Sequence, residues 1–416
     1  SISWPYYLVM AYGILVPVIA IHLPGIGGVG AADVLVPIGG MVILMLPRCG
    51  RIQVPHVALL CFSFAAVVSL LQISEMASAF DCLIRWIRLF GIFIPFYFGL
   101  FISTDDRLTR FAFNSWMVGG LIAVLIGIFL YLLQIEVRSG QQRLWMDGGS
   151  MIRAGGLIGN SGAFGHMTST WAVVSFTWLI TVCKHRYRIA GVILVMACAM
   201  YVIYISSSRA ALLHLSSAAI VFLMLYRMPL VIKHWLPLLV ILAILLAVFF
   251  HCLNQWGGSF GIDTQRSSVV QSSLARFVPG FDGGGVEEFT SRRSDNWPEY
   301  IAMMNQKALV GWGYKMGVRL HEESPDNSYL SVLLETGAFG FICMAMFVLS
   351  NLFILGRGCF SDEPYVCVMI PVVVGQLFNC MTSDIYTFWI TMPVVFMLLG
   401  IVIQRCGNRQ ERKIKE

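Results

Sequence analysis

The chain reads as an all-α integral membrane protein with about twelve transmembrane helices. Of its 416 residues, 58% are hydrophobic and only 12% charged, and the mean hydropathy is +0.78. A water-soluble domain of that balance would lack the polar residues to cover its surface. Apolar runs of roughly twenty residues, the length a hydrocarbon core demands of a helix, recur from end to end. These runs are continuous, without the in-out alternation of a membrane barrel strand.

The expected spans are, in order, Pro5–Leu23, Ala31–Leu46, Val54–Leu71, Trp86–Ile102, Phe111–Leu133, Met167–Cys183, Ile189–Ile205, Ala210–Tyr226, Trp235–His251, Tyr329–Leu355, Pro364–Cys380 and Ile385–Ile403. They divide the chain into a membrane domain over 1–251, an external loop domain over 252–328, a second membrane part over 329–404 and a tail over 405–416. The chain begins at Ser1, and its first apolar run is longer than a cleavable signal requires.

With the N-terminus in the cytoplasm, the inward connections and tail hold fifteen Lys and Arg, among them Arg48, Arg107, Arg186, Arg357 and Arg405. The outward connections, apart from the long loop, hold six: Arg85, Arg88, Arg138, Arg143, Arg153 and Arg209. The positive-inside preference therefore sets both termini in the cytoplasm. The net charge of +6 is a topology signal and not a nucleic-acid footprint. The 11 cysteines lie mostly inside apolar runs without CxxC spacing, which points to small buried hydrophobes and away from a disulfide frame or metal knuckle.

The segment from Cys252 to Asp326 is too long and too polar for a connector. It contains two glycine-rich stretches and, over Asn296–Met304, apolar residues at helical spacing. The shorter outward loop Gln134–Gly165 is a second place where a site could be built.

The outward arginines are the first anomaly, because the charge bias should deplete them. Arg209 follows Ser206–Ser208 and opens an apolar run, where an ionisable group is costly. Arg153 heads a run ending in Asn160. Arg276 and Arg293 lie in the long loop, the latter four residues before Trp297. Guanidinium groups hold phosphate oxygens bidentately, keep their charge, and stabilise charge developing on a pyrophosphate leaving group. The competing role for each is to pair with a loop carboxylate or to snorkel to headgroups.

Asp326 precedes Asn327, Ser328 and Tyr329 where the long loop re-enters the membrane. A partly desolvated carboxylate there can accept a proton from an attacking sugar hydroxyl. The competing role is a helix N-cap, which Asp and Asn both fill. His321, Glu322 and Glu323 are rival bases, and Asp384 in the turn before the last span is placed to orient an arginine. No Asp-x-Asp pair occurs, so arginines are preferred to a metal as the electrophile.

The order of Arg153-x-Gly-x-x-x-x-Asn160, Ser208-Arg209-Ala210, Arg293-x-x-x-Trp297, Gly311-Trp312-Gly313, Asp326-Asn327-Ser328-Tyr329-Leu330 with Glu335, Gly337 and Gly340, and Asp384 resembles the O-antigen ligase and Wzy polymerase superfamily, membrane glycosyltransferases of the GT-C type. The resemblance implies an undecaprenyl-pyrophosphate-linked oligosaccharide as donor, inverting transfer to a sugar hydroxyl, and no cofactor or metal. By matching positions it assigns the donor pyrophosphate to Arg209 and Arg293. Asp326-Asn327 stands where ligases have His-Asn, which resembles the polymerase branch, with a second lipid-linked repeat unit as acceptor. The expected site is thus Asp326 as base, Arg153, Arg209, Arg276 and Arg293 around the pyrophosphate, and Asn327, Tyr329, His321 and Asp384 in support. It would lie at the periplasmic face of a bacterial inner membrane, with a chain-length regulator as a candidate partner. A ligase acting on lipid A core and a transporter or flippase are the alternatives.

Overall fold

The computed structural model describes residues 4–18, 20–23, 27–31, 35, 38, 50–71, 87–103, 105–137, 143–146, 149–183, 186–226, 297–314, 326–359, 363–381, 383 and 391–415. Most of Ala31–Leu46 and all of Trp235–His251 lie outside these residues, as do Arg276, Arg293, His321 and Asp384.

The helices, in our numbering, begin with α1 at Trp4–Met10, continued through a π-helical turn at Ala11–Leu15 and a last turn at Val16–Val18. Next come α2 (Val54–Leu71), α3 (Ile87–Ile102, with a 3₁₀ stretch at Ile94–Phe98) and α4 (Asp106–Leu132). Then follow α5 (Ser161–Thr181), α6 (Arg188–Ser206) and α7 (Arg209–Leu225). The rest are α8 (Trp297–Gln306), α9 (Ser328–Cys359), α10 (Val366–Cys380) and α11 (Met392–Lys415). Four of them, α2, α4, α6 and α9, are long and apolar enough to cross a membrane by length and composition; α7, α10 and the apolar stretches Pro5–Val18 and Ile87–Ile102 are shorter.

Among the described residues two short antiparallel hairpins accompany the helices. β1 (Ala20–Leu23) pairs with β2 (Gly27–Gly30), so the first helical segment ends at Val18 and not at Leu23. β3 (Arg143–Met146) pairs with β4 (Gly149–Ile152). The intervening sequences are Pro24-Gly25-Ile26 and Asp147-Gly148, and an Asp-Gly pair between two strands is a characteristic hairpin-turn dipeptide.

Close helix approach depends on small residues, as in membrane bundles generally. A side chain on Gly120 would strike the Trp171 ring, and one on Gly127 the Phe164 ring, so α4 and α5 pack in antiparallel contact. The Trp171 indole N–H donates to the Met117 carbonyl at 2.9 Å. At the far end of this pair Phe113, Trp178 and Tyr365 stack with centroid separations of 4.8–5.6 Å. That stack levels the start of α4, the end of α5 and the start of α10. The long central helix α11 is buried through Cys406 and meets α3 backbone to backbone where Gly99 faces Gly400.

One end of the bundle is knitted by ion pairs. Arg405 bonds to Asp106 at 2.6 Å and to Glu363 at 3.3 Å, Arg409 bonds to Glu363 at 2.8 Å, and Arg110 reaches Asp106 at 3.3 Å. The Glu363 side chain is fully buried between its two arginines, which is the condition under which a buried carboxylate is tolerated. This end joins the start of α4, the start of α10 and the end of α11. The candidate site lies at the other end.

Candidate active site

Helix ends build the site. Asn160 caps α5, its side-chain oxygen accepting from the Ala163 amide at 2.9 Å. Gly156 and Gly159, with φ of 54° and 68°, turn the chain into that cap through a left-handed conformation that suits glycine. Strand β4 delivers Arg153 just before this turn. The Arg-x-Gly-x-x-x-x-Asn run is therefore a hairpin exit, a left-handed turn and a helix start.

Arg153 reaches the end of α6. Its Nε and Nη2 donate to the Ser206 carbonyl oxygen at 2.8 and 2.6 Å, and Nη2 also donates to Ser207 O at 3.2 Å. The Ala154 amide donates to Ile205 O at 3.0 Å. Terminal carbonyls of a helix have no intrahelical donor and carry partial negative charge, so a guanidinium satisfies both needs. Ser207 then takes a left-handed conformation with φ 49°, and Ser208 caps α7 by accepting from the Ala211 amide at 3.4 Å. Arg209, half-buried, is the first residue of α7. A side chain on Gly165 would strike Ser208, so the turn carrying Arg209 is pressed onto the second turn of α5.

At the start of α9, Asn327 and not Asp326 is the cap. Its side-chain oxygen accepts from the amides of Tyr329 and Leu330 at 2.9 and 3.2 Å, and its Nδ2 donates to Met381 O at 3.3 Å. Ser328 Oγ donates to Ser383 O at 2.7 Å, and the Tyr329 hydroxyl donates to Leu377 O at 2.8 Å. These bonds fasten the start of α9 to the end of α10. Asp326, half-buried, holds φ at 47°, a conformation that Asp tolerates better than most residues and that recurs at functional sites.

A buried polar array joins α5, α7 and α10 beneath these ends. His166 Nε2 lies 2.7 Å from Gln376 Oε1, and Gln376 Nε2 donates to Thr170 Oγ1 at 2.9 Å. Ser169 Oγ lies 2.8 Å from His214 Nδ1, and the two imidazole centroids are 5.9 Å apart. The array levels Gln376 with the second and third turns of α5. Because α10 therefore ends beside the start of α5, Asp326 and Arg209 share one end of the bundle with Arg153. Sequence reasoning missed the array: His166 falls between the outward loop Gln134–Gly165 and the expected span starting at Met167. Its signal was the polar run His166, Thr168, Ser169, Thr170 within an otherwise apolar stretch.

The Gly311-Trp312-Gly313 and Glu335-to-Gly337 motifs prove to be two halves of one feature. α9 breaks at Gly337, with φ 66° and ψ −171°. The carbonyls of Leu334 and Glu335 there accept from the amides of Trp312 and Gly313 at 2.8 and 2.9 Å. In return the Ala338 and Phe339 amides donate to Ala308 O and Leu309 O at 2.8 and 3.3 Å. The loop after α8 thereby satisfies the backbone groups that the break releases, as a broken membrane helix requires. Gly311, with φ 74°, and Gly337 sit where any side chain would strike the opposing backbone.

Among the described residues no group of three or more His, Cys, Asp or Glu side chains gathers as a metal-ligand set. Residues 193–345 match the Wzy_C family model, described as O-antigen ligase. That segment belongs to the O-antigen ligase and Wzy superfamily. It runs from the second turn of α6 to beyond the break in α9, and so contains Arg209, Arg276, Arg293, His321, Asp326, Asn327 and Tyr329, whereas Arg153 and Asp384 fall outside it. With the apolar helices, the match of this segment supports a membrane protein of glycosyltransferase-like type; it does not divide the ligase and polymerase branches. No curated protein matches the chain.

Proposed function

We propose that the chain is a polysaccharide polymerase acting at the periplasmic face of a bacterial inner membrane. The reading rests above all on Arg209 and Asp326, two residues of the matched segment at the starts of different helices, sharing one end of the bundle opposite the Arg405–Glu363 ion pairs. In this reading Asp326 takes the proton of an acceptor sugar hydroxyl as its oxygen attacks the anomeric carbon of an undecaprenyl-pyrophosphate-linked glycan. The anomeric C–O bond breaks, its electron pair leaves with the pyrophosphate, and the configuration inverts. Arg209, Arg276 and Arg293 offset the charge that develops on the leaving group. Arg153, with Nε and Nη2 committed to carbonyls, acts through the turn that presents Arg209. No metal takes part in this scheme, and a chain-length regulator is a candidate partner.

A ligase that moves the glycan to lipid A core is the second reading, favoured by the description of the matched family. Purified protein incubated with lipid-linked repeat units alone separates the two. Longer lipid-linked chains support polymerisation. Product formed only after lipid A core is added overturns it in favour of ligation, and transbilayer movement of the lipid without any new bond overturns both in favour of a transporter.

A further inference from the structure

We propose that the α8 segment, residues 297–314, is seated in the bilayer interface and not in the aqueous phase, with Ile301 and Leu309 immersed among the lipid acyl chains.

After its break, α9 shows one continuous apolar stripe: Phe339, Ile342, Met346, Leu349 and Phe353 are all exposed and fall at helical spacing on one face. On a helix long and apolar enough to span a membrane, such a stripe faces lipid. Its ends are marked. Near the C-terminal end the Arg357 guanidinium lies 5.5 Å from the Phe353 ring. At the other end the Lys307 ammonium lies 4.3 Å over the Trp312 ring. Tryptophan and snorkelling cations are the side chains that mark the boundary between hydrocarbon and headgroups. From Ala338 to Arg357 a straight helix rises about 29 Å, close to the roughly 30 Å of a bilayer core. The break at Gly337 therefore falls at one boundary of the hydrocarbon.

Leu309 is fixed at this boundary. Its carbonyl accepts from the Phe339 amide, and the two neighbouring side chains are 73% and 51% exposed. Ile301 on α8 is 45% exposed, while Tyr300 beside it is fully buried against the protein. At Leu309 the apolar edge of this segment is thus continuous with the lipid-facing stripe of α9. Phospholipid is the occupant that continuity specifies.

The test uses the full-length protein in vesicles of phosphatidylethanolamine and phosphatidylglycerol, with photoreactive benzoylphenylalanine replacing one residue at a time. Leu349, in the middle of the stripe, is the lipid-exposed control, and Glu299, exposed on a different face of α8 from Ile301, is the aqueous control. On irradiation, positions 301 and 309 should give phospholipid adducts at yields like position 349 and about tenfold above position 299. Adducts at 349 with none above the 299 level at both 301 and 309 would overturn the proposal, as would crosslinking of those positions to protein instead of lipid. All these side chains are exposed, so the replacements leave the core intact, and the readout is independent of catalytic activity.

Discussion

Arg153 holds Ser206: two nitrogens of one guanidinium converge on one carbonyl oxygen at 2.8 and 2.6 Å, across 53 residues of sequence. The residue bound in this way is three positions before Arg209, so the clamp sets the direction from which α7 begins.

Arg153→Ala should therefore lower both stability and turnover. Loss of a charged donor from helix-end carbonyls costs about 1.5–3 kcal/mol, read as a lower unfolding temperature in detergent. Arg153→Lys, which restores charge but not the fork, should recover part of the stability and little of the chain-elongation rate.

Arg209→Ala, by contrast, should abolish elongation while leaving the unfolding temperature nearly unchanged. The cap of α7 comes from Ser208 and not from Arg209. Wild-type polymer length in this variant would remove Arg209 from the site.

Asp326 and Asn327 should separate cleanly. Asp326→Asn keeps a residue tolerant of positive φ, so the protein should fold normally and fail to elongate. Asn327→Ala removes a cap and should cost about 1 kcal/mol of stability while retaining measurable elongation.

Gly337→Ala and Gly311→Ala should each destabilise by about 2–4 kcal/mol, since each forces a side chain into a left-handed backbone and against the opposing backbone. Because both act on the same junction, the double variant should cost less than the two single costs added together. Thermal unfolding of all three variants checks this.

Gln376→Leu should remove the partner of His166 Nε2 and the donor to Thr170 Oγ1 in the interior and cost about 1–3 kcal/mol. Gln376→Glu keeps an acceptor for His166 and should be milder if the array is chiefly a helix clamp. The relative unfolding temperatures decide.

Much of the helix layout was legible in advance. Val54–Leu71 was expected with those bounds, and the starts of α6, α7 and α9 were read to within a residue. A cap from Asp or Asn at the start of α9 was expected, whereas the Asn160 cap was not, because the span after it was read as starting at Met167 and α5 begins at Ser161. The first span was overextended because Ala20–Leu23 is as apolar as the helix before it, and hydropathy does not distinguish strand from helix over four residues. The motifs around Arg153, Arg209 and Asp326 were recognisable, but whether Asp326 or Asn327 capped α9 was open, since both types fill that role.

The sequence by itself determined that this protein lives in lipid and where its long apolar helices run, because a bilayer makes each segment satisfy its own backbone and so writes the requirement into local composition. Only the tertiary structure decided which carbonyls Arg153 grips, that Trp312 and Gly313 repair the break at Gly337, and that His166 meets Gln376. Those partners are separated by 20 to more than 200 residues, and the pairing of distant groups is set by how whole helices pack, which no local pattern of residues records.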